Sequence, residues 1–390
     1  MHDQQIPRFA WDDIGVPRRL TVVQLLPALD AGGVERSTLE IAEALVRAGH
    51  RAIVVSKGGR LLPRLQALGA EHLALDIGRK SLFSLRHVPA LRRLFAGVGV
   101  DIVHARSRLP AWLGLRALRG MPAGSRPHFV TTVHGLNSVS RYSAIMARGE
   151  RVVCVSETVR AHLLRHYPGT DPARLRVIPR GIDVAAFPRA AAVDRTPRAR
   201  IAAQHPQLNG NGPLLLLPGR GTRLKGHADA LALLGGLRRA GLDARLWMPG
   251  ALDPARAAYL DELQAQARAD GTIDAIAITP ATDAIAEAYA ASDLVLQLSR
   301  RPESFGRTVI EALAVGRPVV GWGHGGVGEL LHELQPEGAV TPFDGAALLR
   351  VARHLLAQPP APPATMPYTL QAMQEATIDM YLELVGDAAG

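Results

Sequence analysis

The chain has 390 residues, 47% of them hydrophobic and 21% charged, a globular balance that excludes wholesale disorder and leaves room for two domains. Its one cysteine, Cys154, excludes an internal disulfide and a thiolate metal cage and suits a reducing compartment. The net charge of +10 is unevenly spread: 28 Lys and Arg against 14 Asp and Glu over residues 1–190, but 17 against 21 over residues 191–390.

In chain order, residues 1–19 carry Asp12 and Asp13 and no apolar run, and read as an extension rather than a signal peptide. Strands are then predicted over 20–26, 50–56, 71–75, 101–104, 128–133, 151–155 and 176–178. Helices are predicted over 34–48, 61–68, 82–95 and, capped by Ser156, up to residue 166. A break follows, through Pro179-Arg180-Gly181-Ile182-Asp183 and Phe187-Pro188 to Gly212. The pattern restarts with strands over 213–217, 244–248, 275–278, 294–298 and 318–321, with helices between. Pro359-Pro360-Ala361-Pro362-Pro363 interrupts the chain before a last helix over 369–385. Strand–helix alternation of this kind implies parallel sheets covered on both faces. The expected fold class is therefore α/β, two doubly wound Rossmann-like domains facing across a cleft at the carboxyl ends of their strands. Its expected parts are an extension (1–19), a first domain (20–188), a second domain (189–365) and a terminal segment (366–390).

The strongest motif is Arg301-Pro302-Glu303-Ser304-Phe305-Gly306-Arg307-Thr308-Val309-Ile310-Glu311. Glu303 stands in a loop before a helix, Glu311 on that helix, and Gly306 opens it with its amides bare. Carboxylates take sugar and ribose hydroxyls, and helix amides take phosphate, so the combination suits a nucleotide sugar. Upstream, Gly219-Arg220-Gly221-Thr222-Arg223-Leu224-Lys225 follows the first strand of the second half; Arg220 as a fork and Lys225 as a point charge suit a diphosphate. The P-loop pattern is not matched. In the first half, Gly32-Gly33 lets a backbone approach a ligand closely at a helix start. His134, followed by Gly135, ends a strand there, and Arg106-Ser107-Arg108 ends another and suits an anionic acceptor. Gly323, Gly325 and Gly328 match G-x-G-x-x-G, but too late in the half for a dinucleotide fingerprint, and read as a wall of the nucleotide cleft.

The order of these motifs, from about residue 20 to 385, resembles the retaining family-four glycosyltransferases with the GT-B fold, with a hint of the lipopolysaccharide-core type in the Arg-Ser-Arg stretch. The resemblance rests on the E-x7-E pair Glu303/Glu311 with Ser304-Phe305-Gly306, on Gly32-Gly33, on Arg220 and Lys225, and on Val177-Ile178-Pro179-Arg180-Gly181-Ile182-Asp183. It implies a donor held on the second domain. Gly219, Arg220 and Lys225 would lie at the diphosphate, Glu303, Ser304, Phe305 and Gly306 at the sugar, and Glu311 at the ribose. Gly32, Gly33, Arg106, Ser107, Arg108 and His134 would lie on the acceptor side. It also implies that the final helix crosses back to the first domain. Arg180 departs from the Asn common before that Gly, and the stretch at Thr279-Pro280 lacks the glycine usual at the nucleobase pocket.

The expected activity is hexosyl transfer with retention, from a nucleotide-diphosphate sugar to a glycan or glycolipid, in cell-surface polysaccharide or lipopolysaccharide synthesis. His134, Glu303, Arg220 and Lys225 are the expected catalytic residues. No Asp-x-Asp occurs, and no metal or other cofactor is expected. Alternatives are a nucleotide-sugar epimerase or phosphorylase on the same fold, or a basic nucleic-acid scaffold. The scaffold is disfavoured by an aromatic content of 4%, which gives few stacking platforms. No apolar run nears the roughly 20 residues of a spanning helix. Residues 79–95 nevertheless combine Leu82, Phe83, Leu85, Val88, Leu91, Leu94 and Phe95 with five basic residues and no acid. An anionic membrane surface is thus a candidate partner, and a cytoplasmic protein peripheral to the plasma membrane the expected location.

Overall fold

The computed structural model describes residues 18–386 apart from Ala31, Lys80 and Ala191, and gives Leu82 by its backbone alone. Most of the expected N-terminal extension lies outside the described residues. Seven strands make the first sheet: β1 (Thr21–Leu25), β2 (Arg51–Ser56), β3 (Glu71–Ala74), β4 (Ile102–Ala105), β5 (His128–Val133), β6 (Arg151–Cys154) and β7 (Leu175–Val177). Six make the second: β8 (Leu214–Leu216), β9 (Arg245–Pro249), β10 (Ile276–Thr279), β11 (Leu294–Gln297), β12 (Val319–Trp322) and β13 (Ala339–Val340). Helices α1 (Gly33–Arg47), α2 (Leu62–Ala67), α3 (Val88–Gly97), α4 (Arg108–Arg119) and α5 (Glu157–His166) accompany the first series. With the second run α6 (Arg195–Gln204), α7 (His227–Arg239), α8 (Ala257–Ala269), α9 (Ile285–Ala290), α10 (Arg307–Val315), α11 (Gly325–Leu334), α12 (Gly345–Ala357) and α13 (Leu370–Gly386).

The strand orders are β3-β2-β1-β4-β5-β6-β7 and β10-β9-β8-β11-β12-β13. The described pairings are parallel, as the α/β reading expects. The strands read as continuous apolar runs because helices cover both faces. In the second sheet Leu215, Leu246, Met248, Leu294, Leu296 and Val320 pack with Leu231 and Leu234 of α7 and Leu263 of α8 in one core.

The described residues divide into two compact units: those within 18–105, 109–129 and 384–386 in one, those within 106–108 and 130–383 in the other. The first holds β1–β4 with α1–α3. Its start is fixed by Asp101, which accepts from Arg18 at 2.6 Å and from the Thr21 amide at 2.8 Å. The second holds β6, β7 and the whole second sheet. Within it, Thr369 pairs with Ile182 just before α13. On that helix Glu383 lies 3.5 Å from Arg176 of β7.

Three stretches differ from the sequence-based expectation. The helix expected over 82–95 is a 3-10 turn (Leu82–His87) followed by α3, because Pro89 has no N–H to give and fits only a first helical turn. The break between the two series contains α6, started by Asp194, whose side chain accepts from the Thr196 amide. The Arg-Ser-Arg stretch runs directly into α4, a helix the sequence pattern does not predict.

Candidate active site

In each sheet the strand order reverses beside the first strand, between β1 and β4 and between β8 and β11. Loops leaving such a pair of strands form the ligand crevice of open parallel sheets. The predicted motifs leave these strands: Gly32-Gly33 after β1, Arg106-Ser107-Arg108 after β4, residues 219–225 after β8 and residues 303–306 after β11.

The loop after β8 is welded to the end of β11. Gly226 has φ 76°, and a Cβ there would stand 2.0 Å from the Leu298 carbonyl oxygen, so only glycine allows the approach. The Arg300 amide donates to the Leu224 carbonyl at 2.8 Å. This brings Lys225 Nζ to 2.5 Å from Glu303 Oε1, with the two side chains 28% and 24% exposed. Ser299 Oγ donates to the same carboxylate oxygen, and Gln297 Nε2 reaches Oε2 at 3.4 Å. Gln297 and Ser299 were missed from sequence. The signal was available, since polar residues closing an otherwise apolar strand mark its ligand-binding end. Gly219 backs this arrangement: a Cβ there would touch the Lys225 stem at 3.6 Å. Arg220 is exposed on the same loop.

The Glu303 loop is held from both sides. Ser304 Oγ donates to the His134 carbonyl at 2.7 Å, and the Ser304 carbonyl accepts from Ser156 Oγ at 2.6 Å. The His134 ring in turn contacts the Arg180 guanidinium, so the Arg at the unusual position meets a predicted catalytic residue. Behind the loop, the Gly326 amide donates to the Glu303 carbonyl at 2.7 Å. A Cβ on Gly326 would lie 2.4 to 2.7 Å from Phe305 backbone atoms. Gly326, within the late glycine-rich stretch, thus admits the backbone of the Glu303 loop. Phe305 is buried, 5.7 Å from the Tyr368 ring, and Gly306 stands at the N-terminus of α10.

Glu311 is 8% exposed on α10. Its Oε2 accepts from Tyr289 OH at 2.9 Å, and Arg307 Nε lies 3.3 Å from Oε1. Burial, followed by the Glu311 charge, raises the Tyr289 phenol well above its ordinary pKa. Tyr289 was also missed, because nothing local links a helix residue to a carboxylate 22 positions on.

Two further groups complete the set of predicted residues. Gly32 and Gly33 are exposed, Gly32 as N-cap of α1, and a Cβ on Gly33 would meet open space. Arg106 is 3% exposed, its guanidinium 3.4 Å from Thr132 Oγ1, and the Ser107 hydroxyl is buried beside it in sequence. Arg106 is thus an inner cation, while Arg108, less buried, donates to Ser143 Oγ at 3.2 Å and lies 5.4 Å from the Tyr142 ring centre. Glu329 is a further residue that sequence reading did not assign. Its carboxylate accepts from the Glu157 and Thr158 amides and the Thr158 hydroxyl, each at 2.9 Å, capping α5. Among the described residues no group of three or more His, Cys, Asp or Glu is arranged to hold a metal, and no helix is long and apolar enough to cross a membrane.

Two family models match the chain: Glycosyltransferase Family 4 over residues 31–186 and Glycosyl transferases group 1 over residues 200–366. The D-inositol 3-phosphate glycosyltransferase of Pseudarthrobacter chlorophenolicus is 30% identical over 329 residues, 76% of each chain. A glycosyltransferase from Rickettsia africae superposes with a TM-score of 0.82 at 27% identity, covering 94% of this chain and 99% of that one. Anabaena HepE, solved with UDP and glucose, gives 0.76 at 19% identity, covering 93% and 99%. Fold and matches together define a glycosyltransferase of the GT-B class. Within that class, the chain belongs to the family-four glycosyltransferases.

Proposed function

We propose that the protein is a retaining hexosyltransferase that carries a sugar from a nucleotide-diphosphate donor to a hydroxyl of a glycan or glycolipid acceptor, with no metal required. The observation that carries this reading is the Lys225–Glu303 contact beside Ser299, where the loops after β8 and β11 meet. Lys225 and Arg220 meet the donor diphosphate. As they do, Lys225 exchanges Glu303 for phosphate and frees a carboxylate oxygen for the sugar hydroxyls. The amides of Phe305 and Gly306 at the start of α10 donate to sugar or phosphate oxygens. Glu311 accepts from the ribose with the lone pairs that Tyr289 and Arg307 leave.

The acceptor oxygen bonds to the anomeric carbon on the face from which the diphosphate departs. The anomeric carbon–phosphate oxygen bond breaks, and the acceptor proton passes to the departing phosphate oxygen. Arg220, Lys225 and the helix amides offset the charge that gathers there, so catalysis is mainly positioning and electrostatics. His134 and Arg180, tied to Ser304 beside Glu303, bind hydroxyls at the reacting centre. UDP and glucose in HepE support a nucleotide-hexose donor. The inositol phosphate in the names of the curated relatives supports an acceptor with an anionic group, read here by Arg106, Ser107 and Arg108. The acceptor belongs to cell-surface polysaccharide or lipopolysaccharide synthesis and is met by a cytoplasmic protein at the anionic inner face of the plasma membrane.

Turnover of a panel of UDP-, GDP- and ADP-sugars tests this. Glu303→Gln is expected to keep its unfolding midpoint and lose turnover by about 100-fold or more. Full activity in a folded Glu303→Gln protein would refute the donor assignment. Turnover of the unaltered chain is expected to survive a chelator, and its loss on chelation, restored by a divalent ion, would refute the metal-free reading.

A further inference from the structure

Phe83 is 78% exposed and Leu85 47%, two large apolar side chains within three residues of each other. The 3-10 turn that carries them is built to hold them outward. Ser81 Oγ accepts from the Phe83 amide at 3.2 Å, and between the two apolar residues Ser84 is turned inward, 4% exposed, its hydroxyl donating to the Arg79 carbonyl at 2.5 Å. Inward Ser84 leaves its neighbours on either side on the outer surface. The helix that follows does not call on them: α3 buries Val88, Leu91 and Phe95, so its apolar face is spent on the core. Arg79, Arg86, Arg92 and Arg93 are all exposed on the same stretch, and no acidic residue occurs between Asp76 and Asp101.

We infer that this turn is a membrane wedge, in which Phe83 and Leu85 enter the boundary between headgroups and acyl chains while the four arginines meet anionic lipid headgroups. Exposed aromatic and leucine side chains with exposed arginines on the same stretch match the layering of an anionic bilayer surface, apolar beneath and negative above. The inference rests on the reading that the acceptor is met at an anionic membrane, and narrows the inserted apolar part from the whole stretch 79–95 to Phe83 and Leu85.

The test is flotation of the full chain with vesicles of phosphatidylcholine, alone or with about one quarter phosphatidylglycerol. The unaltered protein is expected to float with the anionic vesicles only. Phe83→Ser with Leu85→Ser is expected to lower that binding at least about tenfold, with unfolding midpoint and turnover of a soluble donor unchanged. Arg86→Glu with Arg93→Glu lowers it in the same way. The wedge is overturned if the unaltered chain stays behind with anionic vesicles, if neutral vesicles bind it equally, or if the Phe83/Leu85 variant floats as before. It is also overturned if that variant instead abolishes a concentration-dependent dimer. A chain that transfers no sugar but floats through Phe83 and Leu85 supports the wedge and sinks the catalytic reading, so the two failures are distinct.

Discussion

Single side chains in the second unit show how burial and charge are reconciled. His227, the first residue of α7 and two positions from Lys225, is fully buried, with Nδ1 3.3 Å from Tyr259 OH. Burial, opposed by a bond to the Thr222 backbone, lowers its pKa from 6.5 to about 4. The unfolded chain therefore binds a proton between those values that the folded chain refuses. Stability from this group is complete above pH 6.5 and falls as pH drops toward 4, by about 3 kcal/mol over the whole window. Urea unfolding at pH 7 and pH 4.5 is expected to show this loss, and His227→Gln to flatten the slope; an unchanged slope would contradict it. Tyr289 makes a second case. Tyr289→Phe leaves a buried Glu311 oxygen one donor short, and is expected to lower stability by about 1–3 kcal/mol in the same assay.

At the scale of elements, the site depends on loops pressed against one another rather than on any one strand or helix. One such approach is that of Gly326 to Phe305. Gly326→Ala adds a carbon where only backbone could move aside, so a cost of about 2 kcal/mol or more is expected. The displaced segment carries Glu303, so turnover should fall further than the loss of folded protein explains; calorimetry beside an activity assay separates the two. Glu329 acts at a longer reach, from α11 onto the first turn of α5. Glu329→Ala removes the acceptor for two helix-start amides and a hydroxyl, and is expected to cost about 1–2 kcal/mol.

At the scale of the molecule, the loops carrying Lys225 and Glu303 leave β8 and β11, the strands between which the order of the second sheet reverses, which is why residues 78 positions apart meet. A donor that binds only the folded chain raises its apparent stability by mass action, about 2.7 kcal/mol at one hundred times Kd. The cognate nucleotide sugar should therefore raise the melting temperature, and Lys225→Ala should erase the rise. A shift that survives in Lys225→Ala would move the donor elsewhere.

The sequence by itself determined the α/β class, the place of most strands and the glycosyltransferase family. These are written in local signals: β-branched and leucine runs, glycines at turns, and a carboxylate pair at fixed spacing before and along one helix. Only the tertiary structure decided that Lys225 bonds Glu303, that Tyr289 holds Glu311 and that Arg106 lies buried. It also decided that Phe83 and Leu85 face outward while the helix after them is spent on the core. Such partners sit 22 to 78 positions apart or on opposite sides of a turn. Contacts at that range are set by which loops the sheet order brings together and by which face a segment buries, and no local run of residues encodes either.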